Sequence, residues 1–247
     1  MILDAMIRSS LERAETLPKT FSEDLLPVRS LKGAILSRSR SVIAEVKYAS
    51  PHGPTGATLP PGQLSAAMAA GGAVAISVLT EPTVFAGDPL FIREVRRAVS
   101  IPILRKDILV HPDQIKESRA IGADAVLLIA SVLGDDLFRF VDLAISYGLE
   151  PVVEVGDEEE AESALLTKAE MIGINNRDLC TLRIDLVRAS KIAPMIRSAG
   201  RIPVAMSGIT RPEEVREYMK TCRAVLIGSS ISSAADPKRA TERFVCM

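Results

Sequence analysis

From residue 41 onward the chain alternates between two hydrophobic patterns. Short, nearly continuous apolar runs recur eight times, as "SVIAEVK", "AVAISVL", "IPILRK", "DAVLLIA", "EPVVEV", "MIGIN", "IPVAM" and "RAVLIG". Their Val, Ile and Leu content predicts strands buried on both faces, as in a parallel sheet. Between them lie longer stretches such as "PGQLSAAMAAGG", "PDQIKESRAIG", "GDDLFRFVDLAISYG", "DEEEAESALLTK" and "RPEEVREYMKT". These have apolar residues at helical spacing and glycines at helix ends. Eight strand–helix units within about 200 residues predict an α/β fold, a closed (β/α)8 TIM barrel. An open doubly wound sheet is the rival, but it usually has fewer strands and often a Gly-rich first turn. Neither GxGxxG nor GxxxxGK[ST] occurs here. Residues 1–40 stand outside the repeat and form an N-terminal helical extension across one end, with "SSLERAE" as a capped helix. No low-complexity linker interrupts the chain, so 1–247 is expected to be a single domain.

Side chains alternate along a strand, so residues of one parity share a face. That test puts Glu45 and Lys47 beside Ile43, Lys106 beside Leu104, Glu154 beside Val152, and Asn175 beside Gly173. Each polar residue ends its strand or lies near the end. Charges at those positions are costly in a hydrocarbon core but suit the C-terminal mouth of a barrel, where such enzymes keep their active sites. Any one of them could be an ordinary strand-end residue satisfied by nearby loops. Five of matching parity on four strands point to a shared rim. The seventh run puts Met206 beside Val204, an apolar tip where a reacting group would be expected.

Both "MSGI" and "IGSSIS" place Gly and Ser where a strand gives way to a helix. A single Gly-Ser pair is usually just a turn, but two on consecutive units of a barrel suggest a phosphate site. Glycine lets backbone approach the anion and serine adds a hydroxyl donor. A phosphorylated small molecule is the implied ligand.

Composition narrows the partners. Lys plus Arg number 30 and Asp plus Glu 31, for a formal net charge of -1. That balance argues against nucleic acid or an acidic membrane surface. No apolar run approaches the roughly 18 residues of a membrane span, and "MILDAMIRSSLERAE" lacks a signal-peptide core. Cys180, Cys222 and Cys246 form no CxxC pair and read as reduced thiols of a cytoplasmic protein. With only His52 and His111, a histidine-rich metal site is not expected. Of these, His111 in "HPDQ" precedes a helix and reads as structural. Cys180 has no histidine partner and reads as a loop residue. The acids of "GDEEEAE" suit a helix's first turns rather than a metal.

Taken in order, these motifs resemble the indole-3-glycerol phosphate synthase family of tryptophan biosynthesis, from about residue 35 to 240. "IAEVKYASP", "SVLTEPTVFAGD" and "PILRKDILV" are similar to its first three strands and their loops. "GADAVLLIAS", "EPVVEV", "IGINNRDL" and "LIGSSI" match its fourth, fifth, sixth and eighth. The resemblance implies ring closure, decarboxylation and dehydration of 1-(2-carboxyphenylamino)-1-deoxy-D-ribulose 5-phosphate, giving indole-3-glycerol phosphate without a cofactor or metal. It casts Lys106 as general acid at the ketone oxygen and Lys47 as partner of the substrate carboxylate. Glu154 falls on the fifth-strand catalytic glutamate, with Glu45 and Asn175 in support. Which carboxylate moves each proton stays open.

Ser50, Gly208, Gly228 and Ser229 match phosphate-contacting positions, with Ser207 beside them. Phe85 and Ile108 fall where the family packs the substrate's aromatic ring. Arg177 matches a further rim position, with a salt-bridging loop arginine as the equal alternative. His52 stands where the family often has Ser and is expected to cover the phosphate. Burial and a neighbouring cation are expected to lower both lysine pKa values. The family usually carries a glutamate at the tip of the seventh strand, so Met206 is the departure. A lost rim charge keeps a silent sugar-phosphate-binding barrel open as a rival. Other phosphate-binding barrels, phosphoribosylanthranilate isomerase or the tryptophan synthase α chain, are the enzymatic rivals. The isomerase needs a Cys at a strand tip, and none is there. A monomer is the expected state.

Overall fold

Eight parallel strands hydrogen-bond in sequence order and close on themselves in a computed structural model that describes residues 2–21 and 26–246. They are β1 (Ser41–Val46), β2 (Ala75–Leu79), β3 (Ile103–Lys106), β4 (Ala125–Ile129), β5 (Glu150–Val155), β6 (Met171–Asn175), β7 (Ile202–Met206) and β8 (Ala224–Ile227). The closing ladder pairs Ser41 with Ala224 through Ala44 with Ile227. The other edge of β1 pairs Ile43 with Ala75 through Val46 with Val78. With a helix returning after each strand, this is the (β/α)8 barrel that the eight runs predict.

Strand parity separates two cores. Ile43, Leu104, Leu127, Val152, Val204 and Leu226 fill the lumen. Val42, Ala44, Ile76, Val78, Ile103 and Val153 face the surrounding helices. Burial on both faces explains why the runs lack polar alternation.

The extension differs from the expectation of one end crossed by a capped helix at "SSLERAE". Helix α1 already starts at Ile2 and runs to Glu15, so Ser9 and Ser10 lie inside it rather than at a cap. Ser10 is fully buried. Its hydroxyl donates to the Ile108 carbonyl and accepts from Gln114 Nε2 at 2.8 Å, so the serine is a tertiary anchor. A second helix, α2 (Leu31–Leu36), seals the opposite end, capped by Ser30 Oγ accepting from Gly33 N. Leu31 and Ile35 are completely buried under the lumen, each contributing about 1.5–3 kcal/mol. The first 40 residues thus reach both ends of the barrel.

Candidate active site

At the C-terminal end of the strands lies a cleft of about 210 Å³, lined by Glu45, Lys47, Phe85, Lys106, Asn175 and Met206. Ser207, Gly208, Gly228 and Ser229 line its other side. A second cleft of about 300 Å³ holds Glu154 together with Leu3, Ile129, Glu160 and Arg188. Asn175, Arg177 and Leu179 border both clefts. The single rim expected from sequence is divided into two clefts that share residues of the loop after β6.

Two lysine–glutamate pairs organise the rim. Lys47 Nζ is 4.0 Å from Glu45 Oε1 and 5.3 Å from the centre of the Phe85 ring. Ser77 Oγ, on the adjoining strand, donates to Glu45 Oε2 at 3.5 Å. Lys106 Nζ lies 3.5 Å from Glu154 Oε2. The other oxygen of Glu154 accepts from Asn175 Nδ2 at 2.8 Å, leaving Oε2 with only the ammonium opposite it. Asn175 is held in turn: its Oδ1 accepts from Arg177 N at 3.0 Å and its carbonyl from Arg188 Nη1 at 2.9 Å. Arg188 carries no motif in the sequence and is found only through this contact.

The two lysine pKa values shift in opposite directions although burial disfavours both charges. Desolvation dominates at Lys47 and, helped by Lys106 and Arg177, lowers its pKa against the pull of Glu45. Burial also opposes the charge on Lys106, but Glu154 and Glu45 overcome it and raise that pKa. The expectation that both fall is therefore corrected for Lys106. Two carboxylates converge on it, which single-strand parity does not reveal.

Phe85 reaches the mouth through a short helix, Pro82–Phe85, capped by the buried Glu81. Glu81 Oε1 accepts from Thr83 N, and Oε2 from Val84 N and Phe85 N. Ile108 is buried beside the cleft rather than on its lining. Ser50 also stays off the lining: its hydroxyl donates to Gly53 O at 3.3 Å and accepts from His52 N at 3.2 Å. These bonds hold a tight turn in which Ala49–Ser50 pairs antiparallel with Gly53–Pro54. His52 reaches across to Arg177, Nε2 to Nη1 at 3.3 Å, and Arg177 Nη1 also donates to Leu182 O.

The Ser-Gly loop after β7 has a conformation no motif announces. Ser207 at φ 68° and Gly208 at φ 79° are consecutive left-handed residues. For serine that backbone costs about 1–3 kcal/mol and persists only where neighbours fix it. Asn176, fully buried, is the fixing residue: Nδ2 donates to Ser207 O at 3.2 Å and to Tyr218 Oη at 2.9 Å. Its Oδ1 accepts from Ala189 N. Ser230 Oγ donates to Ile209 O and ties the β8 loop to this one. Met206 is buried, its thioether lying over Gly173, where a side-chain carbon would meet it. Glycine at 173 thus makes room for methionine at 206, and Gly228 makes room in the same way for the Glu45 carboxylate.

His111 caps the helix Pro112–Ile121, accepting from Asp113 N through Nδ1 at 3.2 Å. Cys180 is exposed in the loop after β6. The acids Glu158–Glu160 form the first turn of the helix Glu158–Leu165. No group of three or more metal-ligating residues is found among the described residues, and no helix there is long and apolar enough to cross a membrane.

Two solved structures share the fold at low identity. A thiamine phosphate pyrophosphorylase from Pyrococcus furiosus is 20% identical with a TM-score of 0.63, over 85% of this chain and 96% of that one. A 3-hexulose-6-phosphate synthase is 15% identical with a TM-score of 0.65, over 83% and 98%. Sequence relatives lie much nearer. The indole-3-glycerol phosphate synthase of Deinococcus radiodurans is 42% identical, over 92% of this chain and 85% of its own. That of Nocardioides sp. is 44% identical over 90% and 86%. That of Methanopyrus kandleri is 36% identical over 98% and 97%. The family model for indole-3-glycerol phosphate synthase matches residues 7–244. With the paired lysines and glutamates at the mouth of its barrel, this chain belongs to the indole-3-glycerol phosphate synthase family.

Proposed function

We propose that the mouth converts 1-(2-carboxyphenylamino)-1-deoxy-D-ribulose 5-phosphate into indole-3-glycerol phosphate, carbon dioxide and water, as a carboxy-lyase acting without a cofactor. The carrying observation is the Lys106–Glu154–Asn175 group, an ammonium held 3.5 Å from a carboxylate whose other oxygen is fixed by an amide. Lys106, held as the ammonium, donates a proton to the ketone oxygen as the aromatic carbon adds to the carbonyl carbon. Its new C–C bond leaves a positive ring, which loss of the carboxylate as carbon dioxide neutralises. Lys47, poised between Glu45 and the Phe85 face, orients that carboxylate before it leaves. Loss of the hydroxyl as water then needs a proton taken from the ring and one given to the leaving oxygen. Glu154 takes the ring proton; Lys106, recharged from solvent after its first transfer, gives the other and is restored by Glu154, with Asn175 holding the carboxylate and Glu45 keeping Lys47 in register.

Ser207, Gly208, Gly228 and Ser229 take the phosphate, with Ser50 stiffening the turn beside them. Phe85 lines the ring site, Ile108 backs it, and Arg177 spans the top with His52. We further propose that one chain, as a single-domain monomer in the cytoplasm, suffices. The test adds the substrate to purified protein and follows indole fluorescence without cofactor or metal. Turnover is expected; its absence over a broad pH range overturns the reading.

A further inference from the structure

The barrel end opposite the mouth carries a cleft of about 320 Å³ where β7 and β8 begin. Arg197, Arg201 and Arg223 line it, and no Asp or Glu does. Backbone carbonyls orient all three. Arg197 Nη1 donates to Lys220 O at 3.1 Å and Arg201 Nη2 to Thr167 O at 3.3 Å. Arg223 donates to Ser39 O at 3.2 Å and to Leu36 O at 3.3 Å.

The two buried arginines elsewhere meet carboxylates: Arg105 at Asp107 and Arg96 at Asp124. None of the three cleft arginines forms an ion pair among the described residues. The chain as a whole has a net charge of -1, so this positive concavity is local rather than a property of a basic protein. Carbonyl oxygens hold the guanidinium groups, and no carboxylate of the lining neutralises them. Leu36, Ile202, Pro203 and Met219 supply the apolar part of its lining. Guanidinium forks of this kind match a phosphate's oxygens.

We propose that this cleft is a second anion site, taking a phosphate dianion either free or as the terminal group of a small monoester. It is separate from the mouth, though the same two strands join them: β7 and β8 begin here and end at Ser207 and Gly228. The experiment counts inorganic phosphate bound to the intact chain by equilibrium dialysis at constant ionic strength. Wild-type protein is compared with Arg201→Gln/Arg223→Gln and with Arg197→Gln/Arg201→Gln, each checked by circular dichroism. The variants are expected to bind one equivalent fewer than wild type, with kcat and KM for the ribulose phosphate unchanged. An unchanged count in both variants overturns the site, whatever happens at the mouth. Competition by glycerol 3-phosphate for the lost equivalent identifies a monoester ligand; its failure to compete identifies free phosphate.

Discussion

Arg105 and Lys106 are neighbours on β3, yet one faces the outer wall and the other the lumen. Arg105, fully buried, is saturated: Nε donates to Thr80, Nη1 to Glu117, Ser118 and the Gln114 carbonyl, and Nη2 to Asp107 at 3.0 Å. Asp107 is itself shared with Arg13 of α1 and with Thr80. Lys106 has one carboxylate, 3.5 Å away, and opens on a cleft. The outer cation spends all its donors on protein. The inner one keeps donors for something else. A charge that closes its own network stabilises architecture, whereas one left partly unmatched is available to a substrate.

Substituting the two neighbours separates these roles most sharply. Lys106→Ala should lower kcat by about 10²–10⁴-fold with ligand still bound by the folded protein. Arg105→Ala should cost about 3–5 kcal/mol of stability by breaking its buried pairs with Asp107 and Glu117, read as a fall in denaturation midpoint, while the folded fraction turns over normally. Equal activity losses in the two would erase the distinction.

A smaller effect is expected at Met206. Met206→Glu puts a carboxylate into the packed space over Gly173 and should destabilise by about 1–3 kcal/mol. It should also alter turnover or its pH profile while leaving phosphate affinity nearly unchanged. Collapse of phosphate binding would show that the apolar tip and the Ser207–Gly208 loop act as one unit.

The lysine pKa directions give a further test. Lys106 has a raised pKa, so its charge stabilises the fold fully below the ordinary lysine value, and that contribution is lost only as pH climbs through the higher folded one. Lys47 has a lowered pKa, so its ionisation opposes folding below that value and the penalty eases as pH rises. The alkaline limb of kcat/KM should therefore report Lys47 rather than Lys106. Lys47→Arg should move that limb upward in whatever activity remains; an unmoved limb assigns it elsewhere. The smallest effect is Cys180→Ala, for which activity and stability should match wild type.

Periodicity made the barrel legible because every strand is buried on both faces and every return is a helix. Parity likewise told which residues share the lumen, since it needs only alternation along one strand. What parity cannot supply is the distance between strands. The raised pKa of Lys106 depends on Glu154 arriving from two strands away, and the two clefts at the mouth share residues of a loop. Arg105 was invisible for a related reason: a charged residue facing outward looks solvated until Glu117 and Ser118 of the next helix cover it. Asn176, beside Asn175 in "INN", gave only residue identity, and its grip on the left-handed Ser207 depends on tertiary contact. At Ser50 the motif names a phosphate contact, and the structure adds the turn that its hydroxyl closes.

The segment that wraps both ends of the barrel also imposes an order in time. It leaves the ribosome ahead of the strands, yet its anchors lie on what comes after. Ser10 needs Ile108, Arg13 needs Asp107, the backbone of Arg29 needs Asp124, and that of Lys32 needs Glu150. The closing ladder itself waits for β8 to meet β1. Native pairings of such long sequence separation form late. A stretch made before the strands is thus among the last that can settle, and until then it must remain unattached without blocking the ring that closes behind it.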